Sequence, residues 1–243
     1  ITIISMMIYH AMWDLWSFNL GVTSEMLFGR KGYIWEQTIC YTFIFLSGFC
    51  FSLGRHHLKR GLMALGGGIV ITVVTLLVIP EARDIFGVLW LIGSSILLMI
   101  PLDRLFSRHK DRKGWCGVFL VVALLLFVIT RNVNYGYLGF EGFNLVRLPD
   151  ALYKGYFMTY LGFSDPTFYS SDYFSLIPWF FLFLSGYFTE KLLKGTGTEE
   201  KILTRGFKPL EILGRHSFII YMLHQVVIYG LIYGYWYICA RTI

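Results

Sequence analysis

A histidine and an aspartate lie four residues apart in the first apolar run of the chain, MIYHAMWDLW. On an α-helix this spacing places His10 and Asp14 on one face, about 6 Å apart along the axis. A carboxylate near an imidazole can fix its tautomer and stabilise its protonated form, as a general base requires. The alternative interpretation is a pair that satisfies its own polar groups and only fixes the helix in a bundle.

A second polar pair, His224 and Gln225, interrupts the last apolar run, SFIIYMLHQVVIY. If the helix begins near Arg215, His224 lies about 12 Å along it, close to the middle of a bilayer. His10 occupies a comparable position in its own run, so we expect the two imidazoles at similar depth. The second pair can take part in catalysis or substrate binding, or it can form an interhelical hydrogen bond worth roughly 0.6–2 kcal/mol.

Three further residues are candidates for substrate binding. Trp13 flanks the first polar pair and can form a wall for an acyl group or a sugar. Glu36 opens the second apolar run and can bind an acceptor amine or hydroxyl, although a solvated interfacial charge fits equally well. Trp90, in GVLWLIG, can line the same cavity or act as an interfacial anchor.

Basic residues cluster in the short segment GRHHLKR at 54–60, which we call the basic loop. Arg55, His57, Lys59 and Arg60 can hold the phosphates of an anionic cofactor. The alternative is a topology signal that contacts lipid headgroups.

No metal site is predicted, because the four cysteines form no CxxC pair and HExxH is absent. Nucleic-acid binding is not predicted either, since membrane topology accounts for the basic residues.

The composition defines the class of protein that must position these residues. Of 243 residues, 56% are hydrophobic and 15% are charged, and the mean hydropathy is +0.61. Intrinsic disorder requires the opposite composition, and a soluble domain of this length cannot bury so much apolar surface. The sequence therefore predicts an all-α, polytopic membrane helix bundle of about seven transmembrane helices. The predicted spans are 1–20, 33–53, 61–79, 87–102, 115–130, 174–189 and 217–237.

Lysine and arginine residues are distributed unevenly between the two sides of this bundle. The connections 54–60, 103–114 and 190–216 carry two thirds of them. The positive-inside rule places these connections in the cytoplasm and the C-terminus outside. The one long external segment, 131–173, is rich in aromatic residues and is predicted to fold as a cap, with a short helix near 150–161.

The whole chain, 1–243, is predicted to form a single transmembrane domain. It begins at Ile1 inside an apolar run, so we expect that residues precede this position. The run is not typical of a signal peptide, because it carries His10 and Asp14 and lacks a small-residue cleavage site. The expected location is a bacterial cytoplasmic membrane, where the protein contacts membrane lipids, and an oligomer is compatible with the sequence.

Five stretches resemble, in order along the chain, the bacterial relatives of heparan-alpha-glucosaminide N-acetyltransferase, within the transmembrane acyltransferase superfamily. They are ITIISMMIYHAMWDL (1–15), FIFLSGFCFSLGR (43–55), FGVLWLIG (86–93), IPWFFLFLSGYF (177–188) and LGRHSFIIYMLHQ (213–225). The resemblance implies an enzyme that takes acetyl groups from cytoplasmic acetyl-CoA and passes them to a sugar on the far side of the membrane.

The resemblance also implies roles for individual residues. In this family an essential histidine is followed closely by a tryptophan, and the resemblance assigns these two positions to His10 and Trp13. It carries a second histidine, followed by Gln or Glu, over to His224 and Gln225. The chain departs from the family pattern in lacking the Arg/Asp-rich lead-in before the first span. The animal enzyme's aminosugar specificity does not transfer, because its large luminal domain and additional spans have no counterpart here.

The chemistry of the residues fits this resemblance. Acetyl-CoA cannot cross lipid because its phosphates are charged, but its thin pantetheine arm could bring the thioester toward mid-membrane from phosphates held by the basic loop. We expect His10 to remove the acceptor proton, or to carry the acetyl group as an acetyl-imidazole, with Asp14 orienting the ring. His224 or Gln225 would stabilise the oxyanion.

Two other functions are compatible with the sequence. A proton-coupled transporter of small solutes would use His10, Asp14 and His224 as a relay. Such a protein is expected to contain inverted repeats or broken helices, and neither is clear in the sequence. A membrane scaffold without chemistry would tolerate the loss of His10, with no effect beyond folding.

Overall fold

The computed structural model describes residues 1–106, 112–194, 196–198, 201 and 206–241. Parts of the predicted cytoplasmic connections 103–114 and 190–216 lie outside these residues. The described helices are α1 (Thr2–Ser17), α2 (Ser24–Phe28), α3 (Arg30–Phe49), α4 (His57–Val78), α5 (Val88–Phe106), α6 (Arg112–Thr130), α7 (Gly155–Leu161), α8 (Leu176–Leu193), α9 (Lys208–Arg215) and α10 (Ser217–Arg241). The described strands are β1 (Tyr137–Phe140) and β2 (Phe143–Arg147).

The fold is an all-α bundle of the membrane type, as the composition predicts. Each predicted span coincides with a long helix. Five of the described helices, α4, α5, α6, α8 and α10, are long and apolar enough to cross a membrane. The two remaining predicted spans coincide with α1 and α3. Helix α1 has 16 residues, and α3 carries Arg30, Lys31 and Glu36 near its start.

Contacts within the chain define two compact units, Ile1–Phe43 with Lys201–Ile243, and Ile44–Glu200. In the first unit α1 packs against α10, and the indole Nε1 of Trp35 on α3 donates to the Ser5 hydroxyl on α1 at 2.7 Å. The buried apolar side chains of this unit form one cluster. Its members are Ile3, Met6, Tyr9, Leu27 and Ile39.

The second unit is built from two helix pairs, α4 with α5 and α6 with α8. The end of α3 also crosses α8 closely, at Gly48 and Gly186. A Cβ atom on Gly48 would overlap the carbonyl oxygen of Phe183, and one on Gly186 would overlap that of Phe45. Small residues let helix backbones approach in this way where lipid-like surroundings supply no hydrophobic drive for association.

The predicted cap, 131–173, is folded and contains the short helix that its sequence predicts, α7. Strands β1 and β2 pair antiparallel within it. The buried Arg131 guanidinium lies 4.8 Å from the Trp179 ring centroid on α8, and its Nε is 3.4 Å from Glu141 Oε1. The carboxylate and the ring together compensate a buried cation, so this contact fixes the start of the segment.

The connection between α4 and α5 is bonded to the end of the 131–173 segment. The Ser171 N–H donates to the Arg83 carbonyl and the Phe174 N–H to the Phe86 carbonyl, both at 2.9 Å. This bonding holds Asp84 beside Asp172. Burial, together with the charge of Asp172, raises the pKa of Asp84 to about 8.

The raised pKa of Asp84 predicts a pH-dependent stability. The proton favours the folded state fully below the unfolded pKa of 3.8, and this advantage is lost as the pH rises through about 8. The Asp84→Asn variant keeps a neutral side chain at every pH. We expect its apparent melting temperature in detergent to exceed that of the wild type at pH 7.5 and to match it near pH 4.

Asp165→Asn is the matched control, with the opposite sign. Hydrogen bonds from the Gly155 N–H and from Thr167 lower the pKa of Asp165. Its stabilising effect is therefore present at neutral pH and fades as the pH falls through its folded pKa. A loss of stability in Asp84→Asn at pH 7.5 would contradict the assignment.

Candidate functional site

The first unit brings the two histidines of its apolar helices into contact. His10 lies on α1 and His224 on α10, and their ring centroids are 4.9 Å apart with the planes at 64°. The sequence predicts only that the rings occupy similar depths. The packing of α1 against α10 brings the two rings into direct contact.

His224 has a defined tautomer. Its side chain is 7% exposed, and Nδ1 lies 2.6 Å from the carbonyl oxygen of Tyr221, one turn earlier on α10. A carbonyl oxygen can only accept a hydrogen bond, so Nδ1 carries the hydrogen. The Nε2 atom of the neutral ring is therefore an acceptor. This buried atom has no hydrogen-bond partner among the described residues.

The carboxylate of Asp14 is bonded to α10 and not to the histidine on its own helix. Asp14 is 3% exposed, and its two oxygens accept from the Gln225 amide nitrogen at 2.9 and 3.1 Å. In the described part of the chain no hydrogen bond joins Asp14 to His10. The spacing of four residues places both side chains on one face, but Gln225 supplies the donor. The orienting role of Asp14 remains a prediction.

The two other predicted binding residues of the first unit lie in aromatic surroundings. Trp13 is 39% exposed and stacks edge-on against Trp16 and Phe28, with centroid distances of 5.6 and 5.2 Å. Glu36 accepts a hydrogen bond from the Tyr9 hydroxyl at 3.1 Å. Tyr9 is adjacent to His10 in sequence, so its bond to Glu36 ties α3 to the helix that carries the histidine pair.

The basic loop belongs to the second unit and leads into α4. The His57 ring stacks on Phe51 at 4.1 Å, and its buried Nδ1 has no hydrogen-bond partner among the described residues. The Arg60 guanidinium lies against Gly54, where a Cβ would overlap it. Arg55 and Lys59 are exposed and available to an anion.

The second unit also contains a polar set that sequence reasoning did not identify. At the end of α5, Asp103 accepts from the Tyr187 hydroxyl at 2.5 Å and pairs with Lys191 Nζ at 3.5 Å. No sequence motif marks this set, because its members come from two helices. Trp90, predicted as a binding residue, donates through Nε1 to the Thr72 hydroxyl at 3.1 Å.

Similarly, the role of Tyr221 has no side-chain signal, because its backbone carbonyl makes the bond to His224. The only available clue is its position three residues before a histidine in an apolar helix.

Within the described residues, no three His, Cys, Asp or Glu side chains are grouped so that they could hold a metal ion.

The Asp14–Gln225 bond predicts non-additive stability. Gln225→Ala leaves a buried carboxylate without its donor, and Asp14→Ala leaves a buried amide without its acceptor. We expect the double variant to be less destabilised than the sum of the single variants, by about 0.5–2 kcal/mol. Unfolding in a detergent series measures the three values.

The neighbouring Val226→Ala is the control, because its side chain is 68% exposed. It should change stability little and add independently to Asp14→Ala. Simple additivity of Asp14→Ala with Gln225→Ala would show that the bond contributes nothing.

Comparison with known proteins places these residues in a family. The family model for the catalytic region of heparan-alpha-glucosaminide N-acetyltransferase matches residues 1–226, a range that contains both histidines and the Asp14–Gln225 pair. No curated protein and no solved structure matches the chain significantly. The match spans most of the sequence and agrees with the resemblance found in the five stretches. The chain therefore belongs to the heparan-alpha-glucosaminide N-acetyltransferase catalytic family, a family of transmembrane acetyltransferases.

Proposed function

We propose that this chain transfers the acetyl group of cytoplasmic acetyl-CoA to a sugar or glycan acceptor on the opposite side of a membrane. The observation that carries the proposal is the contact between His10 and His224, at 4.9 Å, inside the region that matches the acetyltransferase family. Two imidazoles between two largely apolar helices are costly to bury and are typical of proton or acyl transfer.

His10 is the proposed reacting group. The resemblance assigns the family's essential histidine to this position, and the residue is partly exposed, whereas His224 is 7% exposed. One ring nitrogen, in its unprotonated form, either removes the proton of the acceptor or attacks the thioester carbon to give an acetyl-imidazole. In both routes the carbon–sulfur bond of acetyl-CoA breaks and CoA leaves as its thiol after taking up a proton.

The acceptor is proposed from the family name and from the chemistry of the chain. The family's name describes acetylation of a glucosaminide nitrogen, so an amine on a sugar is the first acceptor to test. Glu36 and Trp13 are proposed to bind it, through a carboxylate that pairs with an amine or hydroxyl and an exposed indole that can stack on a sugar ring. Membrane lipids are expected to surround the exposed apolar helix faces.

The orientation proposed for this function follows the charge distribution. It places the basic loop in the cytoplasm of a bacterial cell and the C-terminus on the acceptor side. It also assigns the phosphates of acetyl-CoA to the basic loop, where Arg55 and Lys59 are exposed.

Loss of His10 tests the chemistry. Purified protein in liposomes is incubated with radiolabelled acetyl-CoA and a mixture of aminosugars and glycans. We expect His10→Ala to reduce acetyl transfer at least about a hundredfold, because the base or acyl carrier is gone. His216→Ala is the control, since His216 is exposed on the same unit, and it should retain activity.

Equal transfer by wild type and His10→Ala would contradict the proposal. Proton-coupled solute flux in the same liposomes, without acetyl transfer, would favour the transporter instead.

Binding of CoA tests the basic loop. A ligand that binds only the folded protein raises its melting temperature, and the rise grows with concentration above Kd. We expect CoA to stabilise the wild type and the Arg55→Ala/Lys59→Ala double variant to lose most of that shift. Added salt should weaken the shift, because exposed charges are screened.

Arg147→Ala is the matched control, because Arg147 is exposed and pairs with Asp150 in the 131–173 segment. It should keep the full CoA-dependent shift. An undiminished shift in the double variant, or none in the wild type at saturating CoA, would rule out the assigned phosphate site.

A further inference from the structure

The unused acceptor of His224 is the strongest unexplained feature of the site. Its Nε2 atom is buried, carries a lone pair in the neutral ring, and has no partner among the described residues. A buried acceptor without a donor costs roughly 1–3 kcal/mol. Such an atom is expected to be used at some stage of the function.

The other histidine is a candidate donor, because its ring contacts the ring of His224. An N–H···N bond between two imidazoles needs about 2.9 Å between nitrogens, and each nitrogen lies about 1.1 Å from its ring centre, so the centroids should be about 5 Å apart. The observed separation of His10 and His224 is 4.9 Å. No hydrogen bond joins the two rings in the described part of the chain, so this bond requires a rotation of the His10 side chain.

We propose that His224 is the positioning residue of His10, with Nε2 accepting the His10 N–H. This bond would fix the His10 tautomer that leaves the opposite ring nitrogen with its lone pair facing the substrates. The inference rests on the proposed function and assigns to His224 the orienting role that the sequence suggests for Asp14. It also makes the neutral ring unsuited to donate to an oxyanion, because its one N–H is already bonded to Tyr221.

The proton balance is the same for both chemical routes. When the lone pair of His10 attacks the thioester carbon, a C–N bond forms and the C–S bond breaks. The N–H stays on His10, and its bond to His224 Nε2 stabilises the acetyl-imidazolium. The thiolate of CoA leaves with its electron pair. When the acceptor amine displaces the acetyl group, His10 returns to its neutral form, and the amine's proton passes to the thiolate. In the direct route the amine attacks the thioester carbon and the C–S bond breaks. His10 takes the amine's proton, His224 stabilises the resulting imidazolium, and that proton then passes to the thiolate.

The neighbouring charged groups already have partners of their own. Asp14 on α1 accepts from Gln225, and Glu36 on α3 accepts from Tyr9. Tyr221 faces His224 through its carbonyl. The comparison at acidic pH therefore has to be made between variants that keep these carboxyl groups and their partners unchanged and differ only at His224.

A pair of variants separates positioning from packing. His224→Gln can place an amide oxygen near the Nε2 position and accept the same bond, but it cannot be protonated. His224→Leu fills similar space without an acceptor. We expect His224→Leu to lose roughly a hundredfold in kcat/KM and His224→Gln to recover a substantial part of it.

The pH profile provides a readout that a packing role would not change. In the wild type both rings must be neutral, so each ring contributes one protonation to the fall of log kcat/KM on the acidic side. His224→Gln removes one of these protonations, so its acidic slope should be lower than that of the wild type by about one. An unchanged slope with His224→Gln, or equal activity in His224→Gln and His224→Leu, would overturn the inference.

A spectroscopic measurement covers the case of an inactive variant. Nitrogen-15 spectra of histidine-labelled protein, which contains six histidines, report the tautomer of each ring. We expect one tautomer for His10 in the wild type and in His224→Gln, and a mixture in His224→Leu. A single tautomer in His224→Leu would overturn the inference. If His10→Ala retains transfer, the proposed function fails instead, so the two failures are distinguishable.

Discussion

The contact between α1 and α10 imposes the main physical constraint on this protein. It buries two imidazoles, a carboxylate and an amide between two apolar helices. Each of these groups prefers water by several kcal/mol unless it finds a partner. The Asp14–Gln225 bond satisfies the carboxylate, and the Tyr221 carbonyl satisfies one nitrogen of His224. Two buried acceptors at this contact, His224 Nε2 and Gln225 Oε1, have no hydrogen-bond partner among the described residues, and His224 Nε2 belongs to the ring that contacts His10.

The rest of the first unit supports this contact. Trp35 bonds to Ser5, and Tyr9 bonds to Glu36. Helix α3 is therefore attached to α1 at two points, one helical turn apart, just before His10. The apolar cluster around Ile3, Met6 and Leu27 packs the same helix. The role proposed for His10 requires such fixed support, because reacting groups must be held within a fraction of an ångström.

Much of this architecture is readable from the sequence, for identifiable reasons. Continuous apolar runs predict the long helices, because a spanning helix must satisfy its backbone internally. The aromatic segment 131–173 predicts a folded cap, and α7 lies where its helix is expected. The 3.6-residue period places His10 and Asp14 on one face. The ordered stretches around His10 and His224 also identify the family before any coordinates.

The partners across helices are not readable in the same way. Gln225 bonds to Asp14 because of the rotation of α10 against α1, and a hydropathy pattern does not fix that rotation. The bond from His224 goes to a backbone carbonyl, which every residue has. In the second unit, Asp103 accepts a hydrogen bond from Tyr187 and pairs with Lys191, both on another helix, so no local motif marks the set. These bonds, one within α10 and the others between helices, set which groups carry a hydrogen and which remain acceptors.

A structure of the protein with a non-hydrolysable acetyl-CoA analogue tests the central claim most directly. Reacting atoms in a productive complex lie about 3–3.5 Å apart, so the carbon that replaces the thioester carbonyl should lie within roughly 4 Å of a His10 ring nitrogen. The account predicts that position, with the His10 N–H directed at His224. An acyl group bound far from both imidazoles would contradict it.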